Sequence, residues 1–367
     1  MNALDLSAGP LRIHLVGIGG AGMSAIATVL VEMGHRVSGS DAVPSATLDR
    51  LAAAGVTTSI GHRASNVSGL LDLVAVSTAV PPNNPEVLEA VRRAIPVLRR
   101  AELLAAICGL RDTIAVAGTH GKTTTSSLLA EVLVAAGRDP GFVIGAEVRS
   151  LARAAHWGSG RDFVVEADES DGSAFELPRS SAIVTNVEPD HLEHHGGFNR
   201  LREAFEGFVA ETPGIVVLCA DDPVVAELAA RRRPAPAVRT YGQAAGADYR
   251  MVDVATGRAG VSWRIERNGS VLAEARMALP GVHNAANATA AVVMATELGV
   301  NSRQAAAALA TDRGVARRFE LRGEARGVTF IDDYAHLPSE VAAALAAAAS
   351  GSWDRVVVVF RIVLRHD

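Results

Sequence analysis

Lys122 is the only lysine of the 367-residue chain; every other strongly basic side chain is an arginine. It lies in Gly118-Thr119-His120-Gly121-Lys122-Thr123-Thr124, after an apolar run over 113–117 and before an amphipathic helix pattern. A glycine loop between strand and helix points backbone N–H groups and the positive helix end at phosphate oxygens. A compact ammonium adds a point charge that a planar guanidinium does not replace. The hydroxyl of Thr123 is placed to hold Mg²⁺. The common form of this loop has a glycine where Val116 stands, so the loop here is a shorter one. The chemistry on offer is binding of a nucleoside triphosphate, ATP or GTP.

Three further groups of residues could take part. Glu166, Asp168, Glu169 and Asp171 place four carboxylates in six residues, a costly repulsion unless a cation or an ammonium offsets it; a solvated acidic turn is the plainer alternative. Asn186, Glu188, Asp190, His191, Glu193, His194 and His195 follow. Three histidines so close suggest zinc, yet no cysteine lies nearby and the set is not a usual zinc site. Gly17-Ile18-Gly19-Gly20-Ala21-Gly22, with Asp41 about 20 residues on, meets the dinucleotide fingerprint. It places a phosphate-bearing nucleotide on a helix N-terminus without specifying NAD; close helix–strand packing is the alternative. Lastly, His283-Asn284-Ala285-Ala286-Asn287 opens an alanine-rich helix. Asn284 suits a cap, and Asn287, one turn in, can read a purine edge; capping alone would also account for the pair.

These residues need rigid elements behind them. Apolar runs over 11–16, 37–39, 57–60, 73–77 and 96–98 alternate with helical patterns, which implies a parallel sheet. A second unit begins around 108–112 and carries strands over 113–117, 162–165, 182–186 and 215–219. The pattern over 239–280 changes to short alternating runs with glycine turns, as in a small antiparallel sheet. After Arg317-Arg318-Phe319-Glu320 come two strands (319–324 and 328–331), the stretch Asp332-Asp333-Tyr334-Ala335-His336-Leu337-Pro338, an alanine-rich helix and a strand over 356–360.

Bulk properties narrow the class. The length suits two or three domains, and 49% hydrophobic with 20% charged residues is an ordinary soluble composition. A net charge of −5, with Arg231-Arg232-Arg233 the longest basic block, gives no reason to expect nucleic acid or an acidic membrane as partner. Cys108 and Cys219 lie far apart in apolar contexts, as buried free thiols of a reducing cytosol do. No basic stretch followed by a hydrophobic core marks a signal peptide. No apolar run approaches the ~20 residues of a membrane helix. The expected location is cytoplasmic, without membrane insertion.

Taken in order, GIGGAGMS, SGSD, GTHGKTTT, EADESD, TNVEPDH, PGVHNAAN, RRFE and DDYAH resemble the Mur ligases from about residue 11 to residue 360. Within that family they are most like the branch that joins L-alanine to UDP-N-acetylmuramate for peptidoglycan precursors of the cell wall. The resemblance implies an α/β fold: a Rossmann-like UDP-sugar domain (1–109), a central P-loop-type ATPase domain with a small antiparallel sheet (110–316), and an incomplete Rossmann-like C-terminal ligase domain (317–367). It implies ATP-dependent amide formation through an acyl phosphate. Lys122 would bridge the β- and γ-phosphates, with Gly118, Thr119, His120, Gly121, Thr123 and Thr124 around them. Thr123 and Glu166 would hold one Mg²⁺. His191 would serve a second metal, a hint that Mn²⁺ could substitute. His283, Asn284 and Asn287 would face the adenine, and Arg318 and Asp333 would contact the nucleotide. Gly17, Gly19, Gly20, Gly22 and Asp41 would bind the UDP part.

Related enzymes that add later residues carry a carbamylated lysine near the metal. This chain has no lysine for it, and the alanine-adding branch usually lacks it too. Leu337 stands where a second histidine is expected, and residues 361–367 match nothing in the family's continuation, which implies a truncated or frameshifted third domain. Three rival readings follow. A dehydrogenase would explain the first glycine loop and leave Lys122 unused. A chain that binds nucleotides without ligation would fit the altered tail. Within the enzyme class the nearest rival is the ligase that recycles a murein tripeptide, though GIGGAGM and ADESD favour the alanine branch.

Overall fold

The computed structural model describes residues 5–169, 172–190, 192–231, 237–312 and 314–360. The first sheet is built from β1 (Arg12–Val16), β2 (Arg36–Asp41), β3 (Thr57–Ile60), β4 (Leu73–Val76) and β5 (Val97–Arg99), all parallel, in the order β3-β2-β1-β4-β5. Helices α1 (Ala21–Glu32), α2 (Ala46–Ala53) and α3 (Pro85–Arg92) lie between them, and α4 (Arg100–Cys108) leads from β5 to the second sheet. Ser45 caps α2 through Leu48 N, and Asn84 caps α3 through Glu86 N ahead of Pro85, so both helices start where side-chain oxygens satisfy orphan N–H groups. Strand order reverses beside β1. In parallel sheets that is where a crevice opens at the carboxyl edge.

The second sheet has ten strands in the order β15-β14-β13-β12-β11-β10-β6-β9-β7-β8. They are β6 (Asp112–Ala117), β7 (Gly141–Val148), β8 (Arg153–His156), β9 (Asp162–Glu166), β10 (Ser181–Val184), β11 (Ile215–Cys219), β12 (Ala237–Gly242), β13 (Tyr249–Gly257), β14 (Gly260–Arg267) and β15 (Ser270–Met277). Strand β6 is central and buried almost throughout, with apolar side chains from Ile114 to Ala117 and a buried Thr113 that donates to Cys108 O at 2.8 Å. The helices are α5 (Lys122–Ala135), α6 (Leu192–His195), α7 (Phe198–Glu211), α8 (Pro223–Ala230), α9 (Val282–Glu297) and α10 (Ser302–Ala308). The antiparallel strands expected over 239–280 form, appended as expected to the parallel sheet, which they join through β12 and β13. Strands β7 and β8 did not stand out in the sequence.

The last described elements are the hairpin β16 (Glu320–Ala325) with β17 (Val328–Asp332), and α11 (Pro338–Ala349). The strand expected over 356–360 is not formed, and these side chains are exposed. A β-run needs a neighbour for its N–H and C=O groups, and no described residue supplies one. The tail at 361–367 lies outside the described residues. Both cysteines are buried and free, and burial pushes the Cys108 thiol up to about 12. Among the described residues no helix is long and apolar enough to cross a membrane.

Candidate active site

The phosphate loop spans the gap between β6 and α5. Gly118 (φ +130°) and Gly121 (φ +78°) make its two turns, and a Cβ there would meet Thr185 Oγ1 at 2.2 Å or Asn287 Oδ1 at 2.4 Å. Only glycine fits both the dihedral and the space. The loop is pinned from the end of β10. Thr119 N donates to Asn186 O (3.0 Å), His120 N to Asn186 Oδ1 (2.8 Å), and Thr185 Oγ1 to His120 O (2.5 Å). Gly121 precedes α5 without any side-chain cap, which leaves the helix N-terminus to an anion.

Lys122 does not reach into solvent. Its Nζ donates to Gly118 O (2.7 Å), Thr119 O (3.2 Å) and both oxygens of Glu169 (3.0 and 2.8 Å). Burial pushes the Glu169 carboxyl above its usual range, and the Lys122 ammonium pulls against it. The acidic run is thus split between tasks. Glu166 Oε1 accepts from Thr123 Oγ1 (2.9 Å) and Oε2 from Gly145 N (2.8 Å), while Glu169 holds the lysine. Thr123 and Glu166 offer two hard oxygen donors side by side at the helix N-terminus. No group of three or more His, Cys, Asp or Glu among the described residues could hold a metal. Two protein oxygens suit Mg²⁺, which keeps its waters and takes phosphate oxygens, so the residues present fit that ion. His191, Ser170 and Asp171 lie outside the described residues. His195 Nε2 sits 2.8 Å from Glu169 O, and its ring packs on Phe175.

A cavity of about 220 Å³ joins the loop to the other nucleotide candidates. His120, Gly121 and Thr124 form one wall; His283, Asn284 and Asn287 another; Arg318, Asp333 and Glu340 the third. It is below the roughly 300–1,000 Å³ of a whole small-molecule site, which suits a base in the cavity with its phosphates out on the loop. Asn284 does not cap α9 as expected. The helix begins earlier, at Val282 after Gly281, and Asn284 Nδ2 donates back to Pro280 O at 2.7 Å. Burial holds His283 below the usual imidazole range, so a neutral ring faces the cavity. Asp333 accepts from Phe319 N and Ala335 N, both at 2.7 Å, and so shapes the turn that presents Arg318. A second cavity of about 280 Å³, with Arg149, Arg258, Glu320 and Trp353 in its walls, holds none of the loop residues and shares Arg318 and Phe319 with the first.

The first glycine loop forms a separate cradle at the β1 edge. Gly17 has φ +79°, and Gly19 N donates to Asp41 Oδ2 at 2.8 Å while Ala42 N takes Oδ1. Asp41 therefore braces the loop from β2, and α1 begins after Gly20 without a side-chain cap. Behind this edge lies Glu86, fully buried. It accepts from Ser40 Oγ (2.5 Å), Asn66 Nδ2 (2.5 Å) and Arg63 N (3.1 Å), with His14 Nε2 at 3.4 Å. Burial pushes this carboxyl up, but His14, Ser40, Asn66 and Arg63 N outweigh it and hold it at about 2. A depressed carboxylate stabilises the fold above the ordinary 4.5 and ceases to as pH falls towards 2. Urea melts are expected to lose about 3 kcal/mol over that window, and Glu86→Gln should flatten the slope. An unchanged slope would refute this role.

Sequence reasoning passed over Glu86 and Glu340. Pro85-Glu86 and Pro338-Ser339-Glu340 each read as helix starts, but nothing local marks the partners these carboxylates find.

Three parts of the chain match known family patterns. Residues 12–111 match "Mur ligase family, catalytic domain", residues 116–295 "Mur ligase middle domain", and residues 317–363 "Mur ligase, glutamate ligase domain". The chain is 46% identical over 355 residues to UDP-N-acetylmuramate–L-alanine ligase of Bradyrhizobium diazoefficiens, covering 95% of this chain and 76% of that protein. It is 44% identical to the enzyme of the same name from Rhizobium meliloti, covering 95% and 75%. Among solved structures it is similar to UDP-N-acetylmuramate-alanine ligase MurC from Thermotoga maritima, with TM-score 0.82, 32% identity, and coverage of 93% and 78%. A murein peptide ligase from Psychrobacter arcticus gives TM-score 0.78 at 28% identity, covering 94% and 77%.

Proposed function

The chain belongs to the Mur ligase family, and from that premise we propose that it is an ATP-dependent ligase joining L-alanine to UDP-N-acetylmuramate in peptidoglycan precursor synthesis. The observation that carries the ATP half is the cavity running from His120, Gly121 and Thr124 of the phosphate loop to Asn284 and Asn287 of α9. The alanine half is supported by 44–46% identity to enzymes of that name; among solved structures the alanine ligase is 32% identical and the murein peptide ligase 28%. We take residues 1–109, 110–316 and 317–367 as the sugar, ATP and amino-acid domains, and the cytoplasm as their location.

In this reading the muramyl carboxylate attacks the γ-phosphorus and ADP leaves; the alanine amine then attacks the acyl carbon of the resulting acyl phosphate, and phosphate leaves with loss of the amine's proton to give the amide. Such a transfer depends on positioning and on charge neutralisation. Lys122 exchanges Glu169 for the β- and γ-phosphates, and the N-terminus of α5 receives the same oxygens. Thr123 and Glu166 would hold Mg²⁺, which would supply neutralisation of phosphate charge. His191 is kept as ligand of a second cation, Mg²⁺ or Mn²⁺, on its place in the motif. Gly17, Gly19, Gly20 and Gly22 receive the UDP phosphates on α1, and Asp41 keeps that loop open.

The test is phosphate release from ATP by the purified chain, with the product identified by mass. Release that needs both UDP-N-acetylmuramate and L-alanine is expected. Release driven by a murein tripeptide and not by alanine would move the chain to the recycling branch. Binding of both nucleotides with no release would leave it a binding protein.

A further inference from the structure

The side chain of His120 is held from two sides, by groups from different parts of the fold. Its Nε2 lies 3.0 Å from Ser339 Oγ and 3.2 Å from Glu188 Oε2. Ser339 Oγ donates its own proton to Glu188 Oε2 at 2.6 Å, so its lone pair receives Nε2–H. Nδ1 is buried without a hydrogen bond and faces Glu340 Oε1 at 3.4 Å, within ion-pair reach. A ring that donates on one side and meets a carboxylate on the other is matched as an imidazolium.

Glu340 works in two directions. Its Oε2 accepts from His336 N (3.0 Å) and Leu337 N (3.4 Å), capping the first turn of α11, while Oε1 reaches His120 and lies 3.6 Å from Arg318 Nη1. Packing does little to hold this helix, since Ala347 is its one buried residue. At the far end Thr256 Oγ1 meets Ser350 Oγ, and just past the helix the Arg258 guanidinium lies over the Trp353 ring. A polar, lightly packed contact of this kind is one that opens and closes.

We propose that His120 and Glu340 form a clasp that closes α11 over the base end of the ATP cavity, which makes Glu340 a positioning residue for the ligase reaction. The inference rests on the ATP reading above. Glu188 faces the pair from the end of β10, Arg318 from before β16, Asp333 and His336 from between β17 and α11, and His283 from α9. Burial pushes the His120 ring down, and Glu340 and Glu188 more than restore it, so it titrates above the usual imidazole value. A raised imidazole stabilises the closed form below that value, and the contribution is lost as pH rises through it.

The test compares the wild-type chain with Glu340→Gln, whose amide oxygen still caps α11. A second variant, Ser339→Ala, removes the hydroxyl that accepts from Nε2 and donates to Glu188, and leaves Glu340 in place. Magnesium ATP affinity is measured by calorimetry from pH 6 to 9, and amide exchange is followed over residues 338–349. The wild type is expected to protect 338–349 when ATP binds and to weaken about tenfold across the range, as the closed fraction falls. Glu340→Gln should bind about tenfold more weakly at pH 6, lose the pH dependence and leave 338–349 unprotected, while UDP-N-acetylmuramate binds as before. Ser339→Ala should fall between. Wild-type affinity and protection in Glu340→Gln at every pH would refute the clasp alone. A wild type that binds no ATP would overturn the ATP reading and the clasp with it.

Discussion

Lys122→Arg is expected to cut ATP-dependent turnover by about 10²–10³-fold, the scale of losing one preorganised charge at a reacting phosphate, with little change in melting temperature. The reason lies in how tightly the ammonium is enclosed. Its three donors are matched by two loop carbonyls and the Glu169 carboxylate, all within 3.2 Å. A guanidinium is planar, larger and more rigidly forked. It can still pair with Glu169 and preserve the buried charge balance, but it cannot pivot from that carboxylate to a phosphate inside the same loop. Lys122→Ala separates the two roles. It strands the buried Glu169 carboxylate, and losing one partner of a buried pair costs roughly 3–5 kcal/mol. The alanine variant should therefore lose both stability and turnover, and the arginine variant turnover alone. Thermal melts beside a phosphate-release assay decide it, and an active Lys122→Arg would remove the lysine from the mechanism.

Glu166→Ala carries the second large effect. Its carboxylate bridges Thr123 Oγ1 and Gly145 N, so removal takes one of two adjacent oxygen donors and frees the other. The Mg²⁺ concentration for half-maximal activity is expected to rise by at least 10–100-fold, since even outer partners of a metal site are worth that much. Stability should fall by only about 1 kcal/mol for the hydrogen bonds lost. Titrating the metal at saturating ATP gives the answer. An unchanged metal requirement would assign Glu166 to bracing the β7 backbone instead.

What could be read in advance follows the range of the forces involved. The phosphate loop was legible because strand, glycines and Lys122 are contiguous, and the same holds for the first glycine loop with Asp41. Asn287 stood out because it sits one turn into a helix that begins at a Pro-Gly, and the structure places it in the wall of the same cavity as the loop. The misreading of Asn284 is a boundary error: the helix starts at Val282, which moves the amide inside its first turn. Strand β7 was hidden because Gly141, Gly145 and Ala146 blur the alternation that marks a strand, and β8 because it is only Arg153-Ala154-Ala155-His156. The His120 contact was beyond local pattern altogether, since Ser339 lies 219 positions away in sequence. Partners of that kind are set by how helices land on the sheet, and spacing along the chain carries no trace of them.

The solitary, enclosed lysine has a practical consequence for handling the molecule. A lysine-specific protease has a single peptide bond to cut in the whole chain, the one after Lys122 at the start of α5. In the native fold that bond sits in a helix whose next residues are buried, out of reach of a protease cleft that needs extended chain. Cleavage thus requires the phosphate loop to open or the central sheet to come apart. The rate at which one chain becomes two fragments then reports opening of the site itself, with no label and no engineered cut, and any ligand that grips the loop should slow it.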